Sequence, residues 1–197
     1  MTHPTWALGC EDEVWWSRLA QPDQHCWTDA EANHKLQELT PPTDDPAPKA
    51  LACYGLLLRP EPPQAEQMWL RFVTGRPVRA VTIDFLAWGS AQLAAQGFTA
   101  LRLIWDNASW HRSQAVRHWI RQHNQRVKRG AAGVRLVVCH VPSKSPWLNP
   151  IDPQWVHGKR AVSEPDRLLS ADELEARVYT YYGCEREMHL VMPKKVA

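Results

Sequence analysis

The chain has 197 residues, 44% of them hydrophobic and 22% charged, which suits one globular domain with a buried core and room for a small extension. No apolar run reaches the length of a membrane span, because Arg, Gln or Glu interrupts each one, and the N-terminus lacks the basic-then-apolar pattern of a signal peptide. Five cysteines, odd in number and never spaced Cys-x-x-Cys, argue against a disulfide framework or a structural zinc site and predict a reducing cytoplasm.

In chain order, Thr5 to Gly9 reads as a short strand running into Cys10-Glu11-Asp12-Glu13. The segment 40–49 is a proline-rich polar loop that cannot be core. Ala50 to Leu58 and Gln67 to Val73 are predicted to form a hairpin. Val78, Val81, Phe85, Trp88 and Leu93 have helical spacing, closed by Gly97. Ala100 to Trp105 is a short buried strand ending at Asp106. The stretch from Ser113 to about Arg126 is an amphipathic helix, with Ala115, Val116, Trp119 and Ile120 inward and Gln114, Arg117, His118 and Arg121 outward. Val134 to Val141 is the next strand. Asn149 as N-cap and Pro150 as first helical residue place Asp152 in the first turn of a helix to about Val162. A last helix opens at Ser170, with Glu173 three residues on, and closes at Gly183. Antiparallel strands in front and alternating strands and helices behind predict a mixed sheet with helices on both faces, an α/β fold.

Charge and tryptophan single out one region. The net charge is +2, but Leu101 to Ile151 alone carries +8, with Asp106 as its lone acid, and the remainder carries −6. One acid in a basic block is what a metal carboxylate set in a phosphate-binding surface requires, although a solvated helix face with no partner explains the charge equally well. Of 11 tryptophans, six flank the acids (Trp15, Trp16, Trp105, Trp110, Trp147 and Trp155), and one or two of these are candidates to stack on unpaired bases. An acid at a strand end (Asp106) and an acid at a helix start (Asp152) suggest a divalent metal site. Taken alone, the two read equally as a turn former and a helix-dipole acid.

Asp106-Asn107-Ala108-Ser109-Trp110-His111, the run Ser145-Pro146-Trp147-Leu148-Asn149-Pro150-Ile151-Asp152-Pro153-Gln154-Trp155, His157-Gly158-Lys159-Arg160 and the upstream Glu11-Asp12-Glu13-Val14-Trp15-Trp16 together resemble the catalytic domain of bacterial insertion-sequence transposases of the mariner superfamily. These are DDE/D endonucleases, and the resemblance implies a ribonuclease H-like fold over residues 1–165. A C-terminal helix and tail, 166–197, would pack on that domain, and no N-terminal helix-turn-helix module is expected. It implies Asp12, Asp106 and Asp152 as catalytic and metal-binding acids that meet at one end of the sheet. Mg²⁺ or Mn²⁺ is the expected cofactor, in a two-metal site whose ions, about 4 Å apart, clamp the attacking and leaving oxygens of a phosphodiester. Double-stranded DNA, as element ends and target, is the implied partner. The implied setting is the bacterial cytoplasm, associated with the nucleoid, and a homo-oligomer is allowed. Arg117, Arg121, Lys144, Lys159 and Arg160 are the candidate DNA contacts. Asn107, His111 and Asn149 are candidates to orient waters, ligands or backbone, or else they cap turns.

Two departures from the pattern matter. The third acid is aspartate, as in eukaryotic mariner elements, where bacterial relatives more often carry glutamate; a shorter side chain requires a closer helix. Glu11 and Glu13 flank Asp12, so a one-residue slip would change which acid faces the site. A catalytically inactive remnant that only binds DNA, and a hydrolytic nuclease on the same fold, are the alternatives to a live strand transferase.

Overall fold

The computed structural model describes residues 3–19, 42–59, 65–76, 78–142, 145–163 and 167–192. Six strands form one sheet in the order β5-β4-β1-β2-β3-β6. They are β1 (Trp6–Ser17), β2 (Ala50–Arg59), β3 (Gln67–Thr74), β4 (Ala100–Trp105), β5 (Arg135–His140) and β6 (Leu190–Val191). The β1-β2-β3 meander is antiparallel; β4 pairs parallel with β1 and with β5, and β6 lies parallel to β3. The helices are α1 (Arg79–Ala95), α2 (Gln114–Lys128), α3 (Asp152–Val162) and α4 (Ala171–Tyr182).

Each face of the sheet has its own core. On one side Ala7, Leu56, Leu101, Leu103 and Trp105 pack with Phe85 and Leu93 of α1 and Val116 of α2. On the other, Cys10, Val14, Trp16 and Phe72 pack with Ile151, Trp155 of α3 and Leu174 and Val178 of α4. The period-two alternation of a strand therefore sends the odd residues of β1 toward α2 and its even residues toward α3. Thr82, within α1, is buried and bonded to the Tyr54 hydroxyl at 2.8 Å.

The predicted hairpin, the α1 helix and the β4 strand are all present. Ser113 caps α2 by accepting the Val116 N–H, and Ser170 caps α4 by accepting the Glu173 N–H; Gly183 closes α4 in the left-handed region at φ 64°. Three expectations change. β1 does not stop at Gly9 but runs through the acids to Ser17. Ala115 is exposed, and His123 takes the inward place on α2, bonded to the Val134 carbonyl at 2.8 Å. α3 begins at Asp152 with Ile151 at its N-cap position, and Asn149 faces β1 instead of capping. The described part of the proline-rich loop, 42–49, is mostly exposed, and its Asp45 pairs with Arg18 at 2.7 Å.

Candidate metal and nucleic-acid site

β1 and β4 pair only from Trp6–Ala100 to Cys10–Ile104. The ladder ends there, one residue before β4 itself ends, and the acids lie just past it. Asp12, an even residue, faces α3. Its Oδ2 accepts the Trp155 indole N–H at 2.9 Å. Trp155 reaches it because Asp12 sits opposite Gly55 in the β1-β2 register, and any side chain at Gly55 would collide with the Trp155 ring. Asp152, the first residue of α3, lies beside Asp12, and each carboxyl acts on the ionisation of the other. Asp106, at the end of β4, lies close enough for its charge to act on Asp152. Of the three predicted acids, Asp12 and Asp152 are thus neighbours, and Asp106 reaches them through its charge on Asp152.

Their electrostatics are those of a carboxylate cluster without a cation. Burial first, then the charges of Asp152 and Glu13, push Asp12 from 3.8 to about 7 despite the Trp155 hydrogen bond. Asp152 is also raised, by burial and by the Asp106 charge, against the bond from Asp12. Asp106 goes the other way. Burial opposes ionisation there, but the His111 hydrogen bond, the Ala108 N–H and the imidazole charges outweigh it and hold the carboxyl low.

The odd residues Glu11 and Glu13 point to the opposite side, where His111 waits, 1% exposed and stacked on Trp105 at 4.1 Å. Its Nδ1 donates to Asp106 Oδ1 at 2.6 Å and its Nε2 to Glu13 Oε1 at 3.0 Å, with Glu11 Oε2 at 3.7 Å. The Trp110 indole N–H donates to the same Glu13 oxygen at 2.8 Å. Burial disfavours a charged ring, yet the bonds to Asp106 and Glu13 and the glutamate charges carry His111 up to about 10. Glu11 is fully buried, and neither of its oxygens is hydrogen-bonded; burial and then the Glu13 charge push it well above the usual range.

Among the described residues, one grouping has ligand atoms that already converge. Glu11, Glu13 and His111 have ligand atoms within 4.8 Å of one another. There, however, both ring nitrogens already serve carboxylates, and the ring supplies the positive charge. Asp12 and Asp152 offer oxygen donors with no protein cation bonded to them, and Asp106 adds the oxygen that His111 leaves unbonded, which are donors of the kind hard divalent ions take. By donor type they suit a hard divalent ion better than the histidine grouping, although only the latter has its ligand atoms within 4.8 Å of one another among the described residues.

The other predicted residues are spread around this centre. Asn107 Nδ2 donates to the Val141 carbonyl at 2.6 Å and holds the loop after β4 to the end of β5. Asn149, 1% exposed, donates to the Glu11 carbonyl at 3.2 Å and ties the entry of α3 to β1. Arg117 and Arg121 are exposed on α2 and, with His140, Trp105 and Ile120, line a cavity of about 360 Å³ beside His111. Lys159 and Arg160 are exposed near the end of α3, about two turns from Asp152. Lys144 lies outside the described residues. Of the six flanking tryptophans, Trp16, Trp105 and Trp155 are core, whereas Trp147 is 72% exposed and Trp15 and Trp110 are partly so. Among the described residues, no helix is long and apolar enough to cross a membrane.

A family model described as DDE superfamily endonuclease matches residues 69–175, more than half of the chain. The chain belongs to the DDE superfamily endonucleases. Its fold is similar to that of three solved structures. A Mos1 transposase paired-end complex with left transposon end has a TM-score of 0.62 and 16% identity, over 92% of this chain and 48% of that one. A Mos1 mariner paired-end complex with Mn has 0.59 and 15%, over 92% and 48%. A pre-cleavage Mos1 transpososome has 0.59 and 14%, over 93% and 49%. The chain thus spans about half the length of these proteins, and no curated protein matches it. The sheet is the mixed ribonuclease H-like one expected, and membership of this endonuclease family implies use of a divalent metal. Glu13 was visible in the sequence only as a rival to Asp12; its contact with His111 spans 98 positions, and no local pattern announces it.

Proposed function

We propose that this chain is the catalytic domain of a mariner-superfamily transposase, which cleaves DNA strands and joins them to a target with Mg²⁺ or Mn²⁺. The observation that carries the reading is the proximity of Asp12 and Asp152, with the charge of Asp106 acting on Asp152. Three carboxylates around one or two ions are matched to phosphodiester chemistry. The metal supplies charge stabilisation and an activated oxygen nucleophile. The chain's own part is to hold the carboxylates. The Trp155 N–H fixes Asp12, the Asn149 side chain fixes the start of α3, and His111 with the Ala108 N–H fixes Asp106.

The DNA would lie against the exposed cations, Arg117 and Arg121 on α2 and Lys159 and Arg160 on α3, through backbone phosphates. Exposed Trp147 is the candidate to stack on an unpaired base. Both element ends and the target strand are proposed as substrates. Pairing of ends, as in the Mos1 complexes, favours a homo-oligomer on DNA. The deciding test is nicking of duplex DNA carrying the element's own ends, with Mn²⁺, with Mg²⁺ and with chelator. Cleavage that needs the metal supports the proposal. DNA binding with no cleavage under either metal would instead identify an inactive remnant, and cleavage without joining a hydrolytic nuclease.

A further inference from the structure

The end of the β1–β4 ladder poses a mechanical problem. Asp12 belongs to one strand and Asp106 to the other, and the ladder between them ends at Cys10–Ile104, before either acid. Something other than sheet hydrogen bonds must set the distance between them. The His111 ring spans the gap from behind, bonded to Asp106 Oδ1 at 2.6 Å and to Glu13 Oε1 at 3.0 Å. Glu13 is the residue next to Asp12 on β1. The ring cannot tilt away, since it is 1% exposed and stacked on buried Trp105 at 4.1 Å. The Trp110 N–H, at 2.8 Å, fixes the far end of the bridge on the same Glu13 oxygen. On Asp106, His111 and the Ala108 N–H, at 2.9 Å, both bond Oδ1, so the carboxylate is held by one oxygen with the other available to the aspartate cluster.

We propose that Glu13 and His111 are positioning residues, a Glu13–His111–Asp106 bridge that replaces the missing strand pairing and presents Asp106 to the metal in one fixed orientation. This rests on the reading of Asp106 as a metal ligand. It makes Glu13 a support and not a rival of Asp12. It also accounts for a histidine buried five residues after a ligand without being a ligand itself.

The test is Mn²⁺ binding to the full chain, followed by the loss of the free-ion paramagnetic resonance signal, with thermal melting alongside. Glu13→Ala should weaken Mn²⁺ binding about tenfold, the size expected for a group that orients a ligand. Glu13→Gln, whose amide oxygen still accepts from His111, should recover most of that. The Glu13→Ala/His111→Ala double variant should lose no more than His111→Ala alone, because both act through one bridge. Should Glu13→Ala melt too early to assay, Trp110→Phe, which removes only the second donor on Glu13, should still weaken binding about twofold. Unchanged affinity in these variants, or additive losses, with Asp106→Asn deficient, would overturn the bridge and leave the ligand reading standing. Native affinity in Asp106→Asn would overturn both. Tight binding that survives Asp12→Asn/Asp152→Asn and vanishes in Glu13→Ala would make the rear cluster a cation site in its own right and also overturn the proposal.

Discussion

The two faces of β1 carry acids a residue apart and treat them differently. Toward α2, Glu13 meets a histidine whose ring is charged up to about 10, so that a negative group lies against a positive one supplied by the protein. Toward α3, Asp12 and Asp152 meet with no cation, and Asp12 keeps a proton up to about 7. A half-buried acid pair of this kind costs stability unless it is neutralised. On the function proposed above, the difference separates a structural side from the side that takes the ion: the α2 face carries its own positive group, and the α3 face keeps a proton where a metal would sit.

The largest effect should come from breaking the α3 face. If Asp152 is the proposed metal ligand, Asp152→Asn removes its carboxylate charge and should lower metal-dependent nicking by about a thousandfold or more, the scale of several kcal/mol of charge stabilisation. DNA binding, followed by electrophoretic shift in the same buffer, should be retained. Persistent cleavage would show that the third ligand is another residue. Asp152→Glu sharpens the point. Because Asp152 already reaches Asp12, the extra methylene has no depth to fill and should crowd the cluster, lowering nicking about tenfold. Increased nicking would mean that the pocket keeps the depth of the glutamate-bearing relatives.

The second effect concerns the outer surface beyond the α2 face. Arg117 and Arg121 are exposed beside a cavity rimmed by His140, and reversing both to Glu should reduce the slope of log affinity against log salt by about two, without changing sequence preference. Filter binding across a salt series measures this. An unchanged slope would move the footprint to Lys159 and Arg160 on α3.

Much of this arrangement was legible in the sequence, and the misses share a cause. Ala100–Trp105, α1 and the hairpin carry strong apolar patterns, and Ser113, Ser170 and Gly183 are unambiguous caps. Asp106 and Asp152 could be placed because a strand end and a helix start are local features. The continuation of β1 past Gly9 could not. Three acids in a row look like an exit to solvent, but here each finds long-range surroundings, Asp12 with Trp155 and Asp152, Glu13 with His111, and Glu11 buried beneath them. The same holds for Asn149. Its type suggests a cap, and only the approach of β1 turns its side chain to the Glu11 carbonyl. Gly55 likewise gives no local sign that a tryptophan from α3 lies over it.

A third effect follows from the proton on the α3 face. In the unfolded chain Asp12 titrates at its ordinary 3.8, and in the folded metal-free chain at about 7. Between these values the folded state binds more protons, so metal-free stability should fall as pH rises through that window. Glu11, raised in the same direction, adds to the slope. Asp106, held low, contributes stability that is lost only as pH falls below the usual aspartate value. Metal binding must expel the Asp12 proton, so Mn²⁺ affinity should climb up to about tenfold per pH unit below 7 and level off above it. Thermal melts and Mn²⁺ titrations across pH measure both. A flat Mn²⁺ profile would mean that the α3 face holds no such proton.

The smallest effect isolates one hydrogen bond. The Trp155 N–H at 2.9 Å from Asp12 favours the carboxylate, against burial and the neighbouring acids. Trp155→Phe deletes the donor and keeps an aromatic ring over Gly55, so the Asp12 proton should become harder to remove. At pH 7 Mn²⁺ affinity should fall about fivefold, the scale of one hydrogen bond to a charged group. At pH 8.5 most of that loss should disappear, because the aspartate is then ionised with or without the indole. The lost packing volume should lower stability by about 1 kcal/mol at both values, which separates packing from titration in the same variant. Equal losses of affinity at both pH values would reduce Trp155 to a packing residue, and would mean that the proton on Asp12 is governed by Asp152 and burial alone.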